Sequence, residues 1–535
     1  MADRTPPPMD GQEIVRRFES LWSERKNVET QWQAIEQFVA PFKGKFFSPN
    51  SGESGLDWQS SRRIYDATAV QAHIQLAASI HGSATNPAIR WFDFQWRDIK
   101  LRDNHEAQMW IEAAGKRVYD ELQDSNFNLE ANNVYRNLAS FATAAITEEP
   151  NADVGGKWAG VTFTSVPIKQ VYFEPDDKGQ CVNFYRFLQW PSSKLVAKFS
   201  YEKCPENVQK AYDKRSNETF DVIFCVYRRH DKEKAKGNML KPEDRPYGWS
   251  YVMRSDGSAI ESGGYYEMPA YVVRWELTDE SMWGNGPAHY ALADILTLNQ
   301  LVELDLRSRE KVIDPAILYG ERALLNTLDL DAVESTIVRL QQAVRKYFYI
   351  DQLELKESPA MTATEVQVRY EMMQRLLAST MSRLKEDFLD PLIQRTFNLL
   401  LRAGELGDIP EGANDYDISY VGPLSRSMKF DQSASIERWI TQLQLIAQLG
   451  GEATKVLLVP DYDKIARSAA LQLNLPTDYT RSVDVVETEF TAAKDQQARM
   501  ANAEASASEA AATKDLTQAE QLRGGQQSLT GEATI

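Results

Sequence analysis

Cysteine is nearly absent: the 535 residues carry only Cys181, Cys204 and Cys225. Three scattered thiols build neither a disulfide framework nor a zinc site, and they suit a reducing compartment. Long apolar runs are missing as well. None approaches the eighteen or so residues of a membrane span, so no membrane partner is expected. The start, Met-Ala-Asp-Arg-Thr before Pro6, Pro7 and Pro8, lacks the apolar core that a signal peptide needs. Positive charge is in deficit too: 60 Lys and Arg against 77 Asp and Glu leave a net charge of −17. Bulk electrostatics therefore repel nucleic acid, and tight phosphate binding requires a local basic patch.

Catalytic signatures are also lacking, so an enzyme is not expected. No phosphate-binding loop ends in Gly-Lys-Ser/Thr, and Gly284-x-Gly286 lacks the third glycine and the βαβ setting of a dinucleotide site. No Gly-x-Ser-x-Gly elbow occurs. The five histidines, His73, His81, His105, His230 and His289, share no metal-ligand spacing. Asp176-Asp177-Lys178-Gly179 reads as a turn, because the remaining carboxylates of a calcium loop are missing. Asp461-x-Asp463 fits a helix start better than half a metal site. The basic run Arg228-Arg229-His230-Asp231-Lys232 is offset by neighbouring acids and reads as a solvated strand end. No cofactor is implied.

What the chain does have is length and periodicity. With 43% hydrophobic and 26% charged residues it can build three or four structural units with several cores. Its organising stretch runs from Thr362 to Ala403. Thr362-Ala363-Thr364-Glu365 is a capping box. Val366, Tyr370, Met373, Leu377, Met381, Leu384, Phe388 and Leu392 then trace one helix face in steps of three and four. Forty residues of helix span roughly 60 Å, with Pro391 bending it and Gly404 ending it. Such a helix traverses an assembly or joins domains, although the pattern also fits an ordinary core helix.

Before it, Asp10 and Glu13 cap a long amphipathic helix carrying Ile14, Phe18, Leu21, Val28, Trp32, Ile35 and Val39. Arg25 interrupts one of its seam positions. An alanine-rich helix is expected over 61–84, a strand over 90–96, and a helix capped by Asp103 and Glu106. A shorter one carries Val134, Leu138, Phe141 and Ala145. From Trp158 the period becomes two, with strands expected near 161–165, 171–173, 182–185, 221–227, 249–253 and 271–275, and Asp256-Gly257 as a hairpin. Helices follow from Pro287 to about Ile313 and over about 331–347. Tyr416-Asp417-Ile418-Ser419-Tyr420 is a short strand, and Ile436, Trp439, Leu443 and Ile446 mark a further helix. The last forty or so residues have too few large apolar side chains to offset their ordering entropy.

Several strings, in order, resemble one family: the portal, or head-to-tail connector, proteins of short-tailed bacteriophages. They are Leu21-Trp22-x-x-Arg25-x-x-x-Glu29-x-x-Trp32, Tyr65-Asp66-Ala67-Thr68 and Leu76-Ala77-Ala78-Ser79. Next come Asn86-Pro87-x-x-Arg90-Trp91-Phe92, Ser125-Asn126-Phe127 and Gly284-x-Gly286-Pro287. Thr362-Ala363-Thr364-Glu365-Val366-x-x-Arg369, Glu386-x-x-x-Asp390-Pro391-Leu392 and Gly422-Pro423-Leu424-Ser425 complete the set.

The resemblance implies a predominantly helical α+β portal fold of wing, stem, clip and crown, with a β-rich insertion in the wing. The wing would be 1–286, helical over 10–148 and β-rich over 150–283. Stem helices at 287–311 and 331–349 would flank a short clip at 312–330. A tunnel loop at 350–361 would lead into a long kinked helix, 362–425, returning to the wing. The crown would be 426–495 and a low-complexity tail 496–535. The resemblance further implies a homo-oligomeric ring, typically of twelve copies, at one capsid vertex of the virion, assembled in the host cytoplasm. Its partners would be the terminase, the major capsid and scaffolding proteins, tail or adaptor proteins, and double-stranded DNA passing through without sequence-specific grip. Lys356, Glu357, Ser358, Arg307, Arg309 and Lys311 are the candidate tunnel residues. The residues themselves also admit an intracellular helical scaffold or adaptor with no DNA channel.

Overall fold

The structure, a computed structural model, describes residues 9–41, 63–98, 101–102, 104–151, 158–229, 240–278, 281–313, 330–353, 377–410, 416–420, 438–448, 459–460, 462, 465–466, 481 and 483–527. Two compact units are distinguished: Met1–Arg97 with Trp110–Arg426, and Asp98–Met109 with Ser427–Ile535.

In the first unit α1 (Gly11–Phe38) begins at Asp10, whose carboxylate accepts the Glu13 N–H at 2.8 Å. Glu13 pairs with Arg16 and Arg17 rather than closing the capping box. The alanine-rich helix α2 (Thr68–Ala84) starts later than expected, after Ala67 as N-cap, with Asp66 just outside it accepting the Thr68 N–H. β1 (Phe92–Trp96) follows. α3 (His105–Asp124) is capped by Asn104, which accepts from Glu106 and Ala107, whereas the expected Asp103 lies outside the described residues. α4 (Phe127–Phe141) ends at Ala142, whose φ of 54° is left-handed, so Ala145 belongs to a strand and not to this helix.

Period-two patterning gives strands as expected, and more of them. β2 (Thr143–Pro150) lies between β3 (Val161–Val166) and a later strand, β9 (Ala270–Arg274), in a three-stranded sheet. The larger sheet runs in chain order: β4 (Val171–Pro175), β5 (Cys181–Pro191), β6 (Thr219–Arg228), β7 (Tyr247–Met253) and β8 (Ala259–Tyr265). Asp176–Gly179 is the turn between β4 and β5, with Gly179 at φ 82°, and Asp256-Gly257 turns β7 into β8. Two short helices, α5 (Ser192–Phe199) and α6 (Glu206–Asp213), interrupt the strands between β5 and β6. A small ribbon of β10 (Glu276–Thr278) and β11 (Ser281–Asn285) precedes the next helix.

Both faces of the large sheet are covered. Tyr172, Tyr185, Ile223, Cys225 and Val252 meet Ile14, Phe18 and Leu21 of α1. On the opposite face Phe199 of α5 lies against Tyr251 at 4.9 Å between ring centroids, and Tyr251 against Phe224 at 4.6 Å. Arg25, the interruption in the α1 seam, is buried here. It donates to Lys169 O and Val171 O at 2.8 and 3.0 Å, pairs with Glu29, and stacks 3.8 Å over the Tyr172 ring. A cation at an apolar position thus satisfies the carbonyls that open β4.

α7 (Pro287–Ile313) and α8 (Leu330–Tyr347) come next, and Ile350–Leu353 adds one helical turn. Of the organising stretch, 362–376 lies outside the described residues. From Leu377 the chain is helical, then widens into a π-turn at Lys385–Leu389, where Asp390 N–H reaches back to Lys385 O. α9 (Asp390–Arg402) carries Pro391 in its first turn, so the interruption expected at this proline is a π-turn just ahead of it. Gly404, at φ 77°, ends the helix. Its N–H bonds Leu401 O while Glu405 N–H bonds Leu400 O, a paired closure typical of a left-handed C-terminal glycine.

β12 (Tyr416–Tyr420) pairs antiparallel with β1, Phe92 opposite Tyr420 and Trp96 opposite Tyr416. Their inner face builds an aromatic cluster in which Phe94, Phe397 and Tyr416 lie 4.5–5.2 Å apart. In the second unit residues 438–447 are helical, and α10 (Val483–Gln527) runs 45 residues. Composition predicts too little burial to order this tail, yet the chain is helical across 496. Its alanine content favours helix without a buried face, and its described side chains are exposed.

α9 docks on the small sheet through buried charge. Glu148 of β2 is fully buried and accepts from the Tyr271 hydroxyl at 2.6 Å and the Thr396 hydroxyl at 2.8 Å. Arg395 Nε stands 3.6 Å from the same carboxylate, and Arg402 grips Glu267 with two bonds of 2.6 and 2.8 Å. Burial pushes the Glu148 carboxyl up to about 7 from 4.5, outweighing the pull of Arg395. Between those values the folded chain keeps a proton that the unfolded chain has released, so stability falls as pH rises through this window. Glu148→Gln should flatten that part of the slope. Urea unfolding of both proteins at pH 5, 6, 7 and 8 checks it, and parallel slopes would refute the assignment.

Candidate functional site: the paired helices and their clasp

The candidate site is the α7–α8 hairpin, because three candidate tunnel residues lie on α7. Its root is made by close approach. Gly284 passes so near Ala142 that a Cβ there would overlap the Ala142 carbonyl oxygen, and a Cβ at Gly286 would lie 2.9 Å from the Ala142 methyl. Gly284 N–H donates to Thr143 Oγ1 at 3.0 Å. Pro287 then opens α7, where its missing N–H costs nothing. Ala288, Ala291, Ile295 and Leu298 are buried, so the first three turns are set in the core. Burial drives His289 down to about 4, which makes it a neutral packing residue at neutral pH.

Farther along, a polar clasp joins α7, α8 and the entry to α2. Asn299 accepts the Tyr65 N–H at 2.8 Å and donates to Arg63 O at 3.0 Å. Asp66 spends one oxygen on the Thr68 N–H at the entry to α2 and the other on Gln341 of α8, at 2.7 Å. Tyr65 Oη reaches Glu303 at 3.3 Å. Deeper into the hairpin Arg309 stands 3.8 Å from Glu334. Moving from 299 to 309 on α7 therefore moves from 341 to 334 on α8, so the two helices run antiparallel.

Beyond the clasp the described side chains are half-buried or exposed. Leu304, Leu306 and Val338 are among the exposed apolar residues. The charges there nearly cancel. Over 303–310 and 333–343 the acids are Glu303, Asp305, Glu310 and Glu334, and the bases Arg307, Arg309 and Arg339, four against three. Arg307 pairs with Glu303, and Arg309 with Asp305 at 2.8 Å. The structure thus brings Arg307 and Arg309 onto one helix, each tied to a carboxylate one turn back. Lys311 is on the same helix, its side chain outside the described residues. Lys356, Glu357 and Ser358 lie outside them entirely, as does the whole segment 314–329 between the helices.

The ordered strings of the sequence acquire physical roles. Tyr65-Asp66-Ala67-Thr68 is the clasp. Trp32 is fully buried edge-on to Trp283, at 5.0 Å. Asn126 imitates a strand residue, exchanging bonds of 2.7 and 2.8 Å with the Phe163 backbone. Trp91 stacks on Phe127 and Tyr420, and Asp390 accepts the Tyr420 hydroxyl. Asn299 and Gln341 were missed by sequence reasoning, since a lone amide on a helix carries no local signal. His73, on α2, bonds Arg136 O at 2.8 Å, and His81 lies beside the Tyr135 ring, so both serve the α2–α4 contact.

The chain belongs to the family described as bacteriophage head to tail connecting protein, which it matches over residues 11–329 and 320–480. It is similar to the probable portal protein of Bordetella phage BPP-1, at 25% identity over 501 residues, covering 86% of this chain and 87% of that one. The portal protein of Salmonella phage epsilon15 is 21% identical over 483 residues, covering 82% and 84% respectively.

Asn299→Ala should lower unfolding free energy by ~1–3 kcal/mol, because it strands the Tyr65 N–H and the Arg63 carbonyl. Thr297→Ala, on the exposed side of the same turn, should stay within about 0.5 kcal/mol of the parent. Denaturant titration of both variants compares them directly, and equal losses would contradict the clasp.

Proposed function

We propose that this chain is a portal subunit: copies of it form a closed ring at one capsid vertex, through which double-stranded DNA is packaged and later released. Family membership supports the class. The observation that carries the finer reading is the hairpin, in which Leu304, Leu306 and Val338 face outward beyond the clasp. A neighbouring copy in a ring would cover such side chains, since cyclic symmetry presents the same complementary faces around the circle. Twelve copies is the number that the resemblance implies.

In this reading 287–311 and 331–349 are the stem, 312–330 the clip, 1–286 the wing, 426–495 the crown and 496–535 the tail, of which 496–527 lies in α10. Residues 350–361 would be the tunnel loop and 362–425 the return into the wing. Terminase, the major capsid and scaffolding proteins, and tail or adaptor proteins would meet this ring during assembly in the host cytoplasm. DNA would slide because the described charges of the hairpin nearly cancel, four acids against three bases over 303–310 and 333–343. Arg307 and Arg309 each already hold a carboxylate, and strong phosphate contacts would add friction. The chain then works as a conduit, with no catalytic step of its own.

Electron micrographs of the purified protein, with mass measurement of the particles, test this reading. Rings of about twelve copies with an axial hole wide enough for duplex DNA are expected. A monomer or dimer at every concentration would instead indicate a scaffold or adaptor without a channel.

A further inference from the structure

Where α9 meets the edge of the large sheet there is a cavity of about 620 Å³, within the size range of small-ligand sites. Its lining reverses the charge of the whole chain. Lys241, Arg245, Arg395 and Arg402 line it, against the single carboxylate of Glu267. Glu148 lies behind Arg395, and counting it as fully charged still leaves two cations in excess.

Two of the cations face carboxylates, Arg402 that of Glu267 and Arg395 those of Glu148 and Glu267, whereas Arg245 and Lys241 face none among the described residues. Arg245 donates to Leu240 O and Gly264 O, at 3.2 and 2.9 Å, and its guanidinium lies 4.7 Å from the centre of the Tyr266 ring. Arg402 lies 4.6 Å from the same ring, while its two bonds engage Glu267. Arg395 is almost wholly buried and donates to Glu267 O at 2.7 Å, yet its Nε has no hydrogen-bond partner. Lys241, exposed at the rim, has no partner among the described residues. Carbonyls and rings orient these groups and leave formal positive charge over.

We propose that this cavity binds a phosphate ester. One carboxylate is satisfied by one guanidinium, whereas excess charge spread over two elements, the 240–245 turn and α9, matches a dianion with several oxygens. The volume exceeds that of bare phosphate and leaves room for the group that carries it. A free nucleotide and the terminal phosphate of a nucleic-acid strand share this chemistry.

The test is thermal unfolding of the full chain, in its native assembly, titrated with deoxyadenosine monophosphate at constant ionic strength. A saturable rise in Tm is expected, weakened about tenfold or more in apparent affinity by Lys241→Glu. Lys116→Glu, an exposed lysine on α3, should bind as the parent does. Lys241→Gln removes the charge without reversing it and keeps the test decisive should Lys241→Glu fail to fold. A 5′-phosphorylated decanucleotide separates the sources. Lys241-dependent binding of the strand assigns the site to nucleic acid, and Lys241-dependent binding of the mononucleotide alone assigns it to free nucleotide. No saturable shift, a shift that both Lys241 variants leave intact, or equal binding of deoxyadenosine without phosphate would overturn the proposal.

Discussion

The first unit depends on one crossing point, the Ala142 carbonyl. There α4 stops in a left-handed turn, β2 begins, and the Trp275 N–H arrives at 2.8 Å from the end of β9. Gly284 then passes over the same oxygen on its way to α7. Two stretches more than a hundred residues apart, 141–143 and 275–284, are brought within one van der Waals layer, and only a residue without Cβ can pass last over that oxygen. Because Ala288 and Ala291 follow directly and are fully buried, the direction in which α7 leaves the core is set at this point. The clasp at Asn299 and Asp66 holds a direction already chosen.

A second constraint runs through the chain: buried cations tied to backbone carbonyls. Arg25 does this for the start of β4. Arg274, nearly fully buried, donates to Gly179 O in the β4–β5 turn and faces Asp387 at 3.5 Å in the π-turn. Arg395 links α9 to Glu267 O and to the Glu148 carboxylate. Each joins elements far apart in sequence, and each would leave a buried charge stranded if its partners moved apart. Such links resist separation of the elements they join.

Much of this was legible locally. Periods of two and of three to four fixed the positions of α1, α7, α8 and the strands of the large sheet, and Tyr416–Tyr420 alternates clearly enough to be read as a strand. Its partner was not legible, because β1 lies more than three hundred residues away and pairing leaves no local trace. Ala145 was misplaced because alanine fits either state, and the left-handed turn at Ala142 has no glycine to announce it. Arg25 read as a flaw in an apolar seam until Tyr172 and the carbonyls beneath it were known. α10 was underestimated since burial was the criterion, and a helix rich in alanine does not need it. Of the candidate site, Arg307 and Arg309 could be named in advance, but their carboxylate partners and the Asn299 clasp depend on helix facing and on contacts across 234 residues.

The claim that the crossing at Ala142 sets the helical hairpin is tested most directly by a pair of glycine replacements measured by denaturant unfolding. Gly82 lies on α2 with nothing within 4 Å of an added Cβ, and Gly82→Ala should stabilise the chain by ~0.5–1 kcal/mol. Gly284→Ala forces a methyl group against the Ala142 carbonyl and should cost ~1–3 kcal/mol or more, as overpacking does. A Gly284→Ala protein as stable as the parent would contradict the account.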